Sequence, residues 1–225
     1  MRAADKFVEH VSKIRLPDVF NPWGEVCRVA DRPDAAVVRT SNLRLALHRA
    51  LEINVDSILV GRDLGYRGGR RTGLALTDEA HLSAFSEMYG GISLRRATKG
   101  PIVSERTAAM FWDIVVHLGE PVFTWNVFPF HPYISGECMS NRCHTRAERE
   151  ECRSVLMQLL DLLRPSRVIA IGNDAETGLA DLGIPAAKVR HPSYGGKSDF
   201  VAGIRALHPG LGTPAAPPEA QPGLF

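Results

Sequence analysis

Asp56-Ser-Ile-Leu-Val-Gly-Arg-Asp-Leu-Gly-Tyr-Arg-Gly-Gly-Arg-Arg-Thr-Gly-Leu-Ala-Leu-Thr77 is the stretch whose reading decides the fold. Ser57 to Val60 is a short aliphatic and β-branched run that stops at Gly61. The span that follows, Gly61 to Gly69, is rich in glycine and carries Arg62, Asp63 and Arg67. This is the pattern of a buried strand opening into a polar loop. In open α/β sheets such a loop lies at the carboxyl end of a parallel strand, where the backbone approaches a ligand closely and needs glycine to do so. Asp63 is therefore the first candidate for catalysis.

The same rhythm recurs downstream. Pro121-Val-Phe-Thr-Trp-Asn-Val-Phe128 is aromatic and β-branched, Arg167-Val-Ile-Ala-Ile-Gly172 runs into Asn173 and Asp174, and Ala187-Lys-Val-Arg-His191 is a fourth run. Helical patterns separate them. Asp78 to Tyr89 is one, and Ser104 to Leu118, with Ala108, Phe111, Trp112 and Val115 on one side, is another. A long helix starts at Thr145, where Thr-x-x-Glu148 is a capping box, and a short one reaches Leu182. Upstream, Ala3 to Leu16 puts Phe7, Val8, Val11 and Ile14 on one face. Arg15 to Asp34 reads as an irregular connection broken by Pro17, Pro22 and Pro33, and Ser41 is expected to cap a second helix carrying Leu43, Leu47, Ala50 and Leu51. Strands alternating with helices in this way predict a three-layer α/β/α fold around a four-stranded parallel sheet with right-handed crossovers.

The 225 residues are 44% hydrophobic and 23% charged, enough for one substantial core. A single α/β domain is expected over residues 1–206. Residues 207–225 form a tail too rich in proline and glycine for a helix and too poor in large apolar residues for a core. A formal charge of +2 does not mark a wholly basic nucleic-acid binder, yet the arginines cluster: Arg67, Arg70 and Arg71, then Arg95 and Arg96, then Arg142, Arg146 and Arg149. With no apolar stretch of about 18 residues and no hydrophobic signal region, the reading is a cytoplasmic protein with no membrane partner. The four cysteines, Cys27, Cys138, Cys143 and Cys152, contain no Cys-x-x-Cys pair and default to thiols in a reducing compartment.

In order, the four runs deliver Gly61-Arg-Asp63, Asn126, Gly172-Asn173 and His191-Pro-Ser193, and a parallel arrangement gathers these at one edge of the sheet. An aspartate, an amide and a histidine then share one crevice. Neither a Gly-x-x-x-x-Gly-Lys-Ser phosphate loop nor a Gly-x-Gly-x-x-Gly turn opening a helix occurs, and no complete metal-ligand set stands at a familiar spacing.

Three motifs carry a resemblance. Gly61-Arg-Asp-Leu-Gly-Tyr66, Trp125-Asn-Val-Phe-Pro-Phe-His-Pro132 and His191-Pro-Ser-Tyr-Gly-Gly196 resemble, in order and spacing, those of the uracil-DNA glycosylase superfamily, over about Phe20 to Ala206. The classical branch reads Gly-Gln-Asp-Pro-Tyr-His and His-Pro-Ser-Pro-Leu-Ser, so the catalytic aspartate and histidine fall on Asp63 and His191. The overall pattern, with Asn126-Val127 and Asn141-Arg142 before a capped helix, is closer to the iron–sulfur branch. The resemblance implies excision of a base from DNA. Asp63 would stabilise a cation-like sugar and orient water, and His191 would donate to the base oxygen that gains charge. Asn126 would read the Watson–Crick edge of a flipped base, with Arg62, Gly65 and Leu76 completing the base pocket. Gly68, Ser193 and Gly195, with Arg70, Arg71, Arg142 and Lys197, would meet DNA phosphates, and Tyr194 would wedge into the vacated stack.

Departures from that pattern bear on substrate and cofactor. Where the classical branch has a tyrosine that blocks C5-substituted bases, this chain has Gly65, and Leu76 stands for the phenylalanine on which the base stacks. An open C5 side is the expectation, with uracil as the family substrate and bulky hypermodified cytosine of phage DNA, a defence function, as the alternative. The iron–sulfur branch uses four cysteines; here Phe130 occupies one such position and Cys27 has no near partner. No cluster is expected, and Cys27, Cys138, Cys143 and Cys152 are its only candidate ligands. A weakly active damaged-DNA-binding module, its carboxylate blunted by Arg62, and a small-molecule hydrolase on the same sheet remain as further readings. Gln221-Pro-Gly-Leu-Phe225 resembles the short peptides that dock on the bacterial sliding clamp, through Gln221, Leu224 and Phe225, which would place the protein at the nucleoid.

Overall fold

Four apolar runs pair as the alternation of strand and helix requires. The protein is described by a computed structural model covering residues 2–193 and 195–208. Its first part comprises α1 (Ala3–Lys13), β1 (Val19–Phe20), α2 (Ala35–Glu52), β2 (Ser57–Gly61), α3 (Gly69–Thr72), a 3-10 turn (Glu79–His81), α4 (Leu82–Met88) and α5 (Arg106–Val115). Then come β3 (Val122–Asn126), β4 (His131–Pro132), α6 (Arg146–Glu151), α7 (Arg153–Leu163), β5 (Arg167–Ile171), α8 (Asn173–Asp181), β6 (Ala187–Val189) and α9 (Lys197–Leu207). The main sheet has the order β3-β2-β5-β6 and all its pairings are parallel. β2 and β3 are buried along their whole length, as strands covered on both faces must be. No helix among the described residues is long and apolar enough to cross a membrane.

Register positions the functional ends. Ser57 pairs with Val122 and Gly61 with Asn126, so β2 and β3 finish level. Beyond the strands the two loops stay tied: Val127 N donates to Gly61 O at 2.9 Å, Phe128 N to Arg62 O at 3.0 Å and Leu64 N to Phe130 O at 3.1 Å. On the other side Ile171 pairs with Val189, and Gly172 N donates to Val189 O at 2.9 Å.

Several boundaries differ from expectation, each for a physical reason. α2 begins at Ala35, and Ser41 lies inside it rather than capping it. Polar residues on its core face hid the first turns. Arg39 is fully buried and donates to Pro22 O and Asp31, and Asn42 exchanges hydrogen bonds with the backbone of Arg95 at 2.8 and 3.0 Å. The expected helix from Asp78 opens as the 3-10 turn, because the Asp78 side chain accepts from His81 N. The capping box at Thr145 and Glu148 forms, but the long helix divides at Cys152 into α6 and α7. The irregular stretch before α2 is anchored by Trp23, which stacks on Trp125 at 5.5 Å and donates from Nε1 to Gly73 O. Its Val19 and Phe20 pair with Pro132 and His131 as a small antiparallel ribbon that the sequence did not announce.

The glycine loop's arginines turn inward, which corrects their assignment to DNA. Arg70 is 0% exposed, with its guanidinium 4.2 Å from the Phe20 ring centroid and, among the described residues, no hydrogen-bond partner on any of its three nitrogens. Arg71 is buried, its Nε 3.0 Å from Glu79 Oε2 without hydrogen-bond geometry, while its Nη2 donates to Thr98. α3 is only four residues long, so Gly69 to Thr72 are drawn into the core together and neither side chain can reach a phosphate. Arg71→Met is expected to lower stability by about 3 kcal/mol, the lower end for a broken buried pair because Arg96 still holds Glu79. If the protein binds DNA as the resemblance implies, the variant should leave the salt dependence of that binding unchanged. Thermal melts and binding titrations at several salt concentrations check both; a reduced salt slope would return Arg71 to the DNA surface.

Candidate active site

A cleft of about 500 Å³ opens where the four strands end, lined by Arg62, Asp63, Gly65, Leu76, Asn126 and His191 among others. A larger groove of about 930 Å³ lies at the opposite end, beside Lys6, Leu51, Asp56 and Leu163. None of that groove's lining side chains is a buried polar group lacking a partner, whereas the strand-end cleft contains one.

That group is Asn126. It is 2% exposed, and among the described residues neither its Oδ1 nor its Nδ2 has a hydrogen-bond partner. Leaving a buried amide unpaired costs about 1–3 kcal/mol per group, so a fold that keeps one at the foot of a cleft has prepared a place for complementary polar atoms. Gly61 makes the arrangement possible, since a Cβ there would stand 2.6 Å from Asn126 Oδ1.

Asp63 sits on the loop after β2 with its side chain 8% exposed. Arg62 Nε donates to Oδ2 at 2.9 Å, and the His144 ring and backbone N–H approach the same oxygen at 3.2 and 3.3 Å. Among the described residues no partner reaches Oδ1, which leaves that oxygen for a ligand. Arg62 also donates to Asp174 at 3.0 Å. Burial opposes its charge, but the two carboxylates hold the guanidinium protonated.

His191 follows β6, close against Gly172, whose hypothetical Cβ would lie 3.0 Å from the histidine Cβ. Burial, then Arg62, pushes its pKa below the ordinary histidine value, so the ring is neutral near pH 7. Ser193 N donates to Nδ1 at 3.2 Å, which assigns the ring proton to Nε2. The result is a neutral hydrogen-bond donor. Leu76 forms part of the cleft with a left-handed backbone, φ 55°, a conformation that costs a non-glycine residue about 1–3 kcal/mol. Trp112 Nε1 holds it by donating to Leu76 O at 3.2 Å.

The remaining sequence candidates are placed unevenly. Ser193 lines the cleft and meets Thr107 Oγ1 at 3.2 Å. Gly195 is exposed beside it, and Gly68 is buried at the start of α3. Lys197 is exposed and paired with Asp113 at 2.5 Å. Arg142 is committed to the fold: it grips Glu148 and donates to the carbonyls of Tyr133 and Asp18. Tyr194 and the clamp candidates Gln221, Leu224 and Phe225 lie outside the described residues.

Cys27 and Cys152 are buried, Cys138 is partly buried and Cys143 is exposed. Burial pushes the Cys152 thiol up to about 12, a neutral core residue. Among the described residues no group of three or more His, Cys, Asp or Glu side chains could hold a metal ion.

Sequence reading missed His144 and Glu105. His144 stacks on Phe128 at 5.2 Å and braces Asp63, but it stands in irregular chain just ahead of a capped helix, without a spacing signal. Glu105 is the N-cap of α5, yet its side chain makes no capping bond and lines the cleft. A Cβ at Gly65 or Gly68 would fall inside contact distance of its carboxyl oxygens. This corrects the expectation of an open C5 side: the room left by Gly65 is occupied by Glu105, so the argument for a bulky hypermodified cytosine loses its structural motive. Burial, then Asp78, raises the Glu105 carboxyl to about 7, with Arg67 opposing and Asp63 adding to the rise.

A model of the family described as the uracil DNA glycosylase superfamily matches residues 48–203. Among curated proteins none matches the chain. Among solved structures, the crystal structure of wild-type Pedobacter heparinus SMUG2 superposes with a TM-score of 0.66 at 14% identity, covering 94% of this chain and 98% of that one. At that identity the superposition establishes the shared fold.

The raised Glu105 pKa makes stability depend on pH. Its folded value of about 7 lies above the ordinary 4.5, so the folded state holds this proton more tightly, and stability is lost as pH rises from 4.5 through 7. Glu105→Gln cannot ionise. Its melting temperature relative to the parent should climb across that window and level off above it. A difference independent of pH would contradict the assignment.

Proposed function

The chain belongs to the uracil DNA glycosylase superfamily, and on that premise we propose that it is a monofunctional DNA glycosylase. It flips a uracil or C5-modified pyrimidine nucleotide out of DNA and hydrolyses the N-glycosidic bond, leaving an abasic site. The observation that carries this reading is the buried, unpartnered Asn126 amide at the foot of the cleft. An amide offers one acceptor and two donors, matching the N3–H and O4 of uracil, and pairing with them removes the desolvation penalty of both partners.

The remaining groups fit a dissociative hydrolysis. As the bond to N1 lengthens, positive charge develops on the deoxyribose and negative charge on the departing base. The Asp63 carboxylate, fixed through Oδ2 by Arg62 and His144, faces the sugar with Oδ1 and orients a water for addition at C1′. His191 donates from Nε2 to the base O2, where charge accumulates. The water's oxygen bonds to C1′, its proton passes through Asp63 to solvent, and the base anion leaves and is protonated from solvent. Arg190, exposed in the cleft lining, and Arg67, exposed on the loop after β2, would hold flanking phosphates in place of Arg70 and Arg71.

The Arg62–Asp63 ion pair favours a second reading, a damaged-DNA-binding module of low turnover, because a guanidinium on Oδ2 draws off charge the sugar would use. Base release decides between them. With a duplex carrying one uracil, the parent should release free base under single-turnover conditions. Asp63→Asn and His191→Ala should each slow release by about 10²–10⁴-fold with circular dichroism unchanged. Tight binding by the parent without release would favour the module, and near-parental rates in both variants would contradict the mechanism.

A further inference from the structure

Glu105 is a half-buried acidic side chain at the rim of the cleft that the fold leaves unused. The acidic groups around it are already paired: Asp78 with His81, Glu79 with Arg71 and Arg96, and Asp63 with Arg62. Among the described residues Glu105 has no ion pair and no side-chain hydrogen bond, although its own N–H donates to Asp78. It leads α5 without capping it, so its carboxyl is unused by the helix it begins.

Its direction follows from what shares the cleft. The carboxyl lies against Gly65 and Gly68, on the loop that starts at Asp63. In the glycosylase reading, on which this inference rests, a flipped pyrimidine has its sugar at Asp63, its O2 at His191 and its N3–C4 edge at Asn126. The one ring edge then without a polar partner is C5–C6, which runs beside the Asp63–Gly65 loop. We propose that Glu105 is a specificity-determining residue of this cleft: standing where a side chain at position 65 would begin, it meets the C5 side of the base, accepts a hydrogen bond from a polar C5 substituent and disfavours a methyl group.

The chemistry is that of a partly desolvated carboxylate. Facing a methyl, it loses water and gains nothing; facing a hydroxyl, it gains a charge-assisted hydrogen bond, roughly twice as strong as a neutral one. The protonated carboxyl makes only the weaker bond, so discrimination should deepen as the group ionises. The charges that face it are Asp78 beneath, Asp63 and Arg67 from the loop after β2, and Arg190 and His191 across the cleft.

The test measures single-turnover excision from duplexes carrying 5-hydroxymethyluracil, thymine or uracil, at about pH 6 and about pH 8.5, either side of the carboxyl's titration. The parent's ratio of hydroxymethyl to methyl rates should rise about tenfold between the two, the factor that one strengthened hydrogen bond supplies. In Glu105→Gln the ratio should be flat with pH, and in Glu105→Ala it should fall towards one as the wall is removed. Melting curves confirm that both variants are folded; because the side chain has no partner among the described residues, a third variant, Glu105→Asp, which withdraws the carboxyl by one methylene, serves if either is not. Uracil excision by the parent with ratios and pH profiles unchanged in the variants overturns the role of Glu105 and leaves the glycosylase reading standing. Absence of base release from every duplex overturns both.

Discussion

Gly61 and Asn126 face one another at the last rung of the β2–β3 ladder, and the amide uses the room that the missing glycine side chain leaves. Both positions follow from strand register. A shift by one residue would bury a different side chain at the cleft and turn the amide to the other face of the sheet. The level finish of the two strands also permits the hydrogen bonds that join the loops beyond them, and these hold Arg62 and Asp63 against Val127 and Phe128. Amide and carboxylate are thereby fixed relative to one another by backbone, before any side-chain contact is counted.

Around that fixed pair, polar groups that serve the fold stand beside cleft groups that are kept unpaired. Arg39, Arg71, Glu79, Asp78 and Arg142 are buried or half-buried and engaged by ion pairs or backbone carbonyls. Among the described residues, Asn126, one oxygen of Asp63, the Nε2–H of His191 and the Glu105 carboxyl have no protein partners, and they share one cleft. Leu76, held in a left-handed conformation at its edge, adds backbone strain of the kind that collects at binding sites. Binding a base and its sugar would relieve several of these costs together.

The sheet was legible because buried parallel strands leave a simple trace. Ser57–Val60, Val122–Trp125 and Arg167–Ile171 are apolar runs broken by residues that end strands, and their termini name the sides of the cleft. The arginines were misread for a matching reason. Charge in a sequence suggests surface, yet Arg70 and Arg71 belong to a turn too short to present them outward, and Arg39 and Asn42 occupy a helix face that periodicity expects to be apolar. His144 and Glu105 were invisible because each reaches the cleft from irregular chain or a helix start, where position depends on tertiary contacts rather than on spacing. Gly65 read alone promised an empty space; only the fold brings Glu105, distant in sequence, to fill it.

The central claim is that the unpaired Asn126 amide receives the edge of a base turned out of DNA. Its side-chain NH₂ resonances report this directly. They can be followed by NMR with a duplex containing one 2′-fluoro-2′-deoxyuridine, whose fluorine resists glycosidic cleavage, and with the same duplex carrying thymidine in its place. The account predicts a large shift of the Asn126 NH₂ protons and slowed exchange with water on adding the first duplex, with little change on adding the second. An Asn126 signal unmoved by the uridine duplex at saturating protein would contradict it.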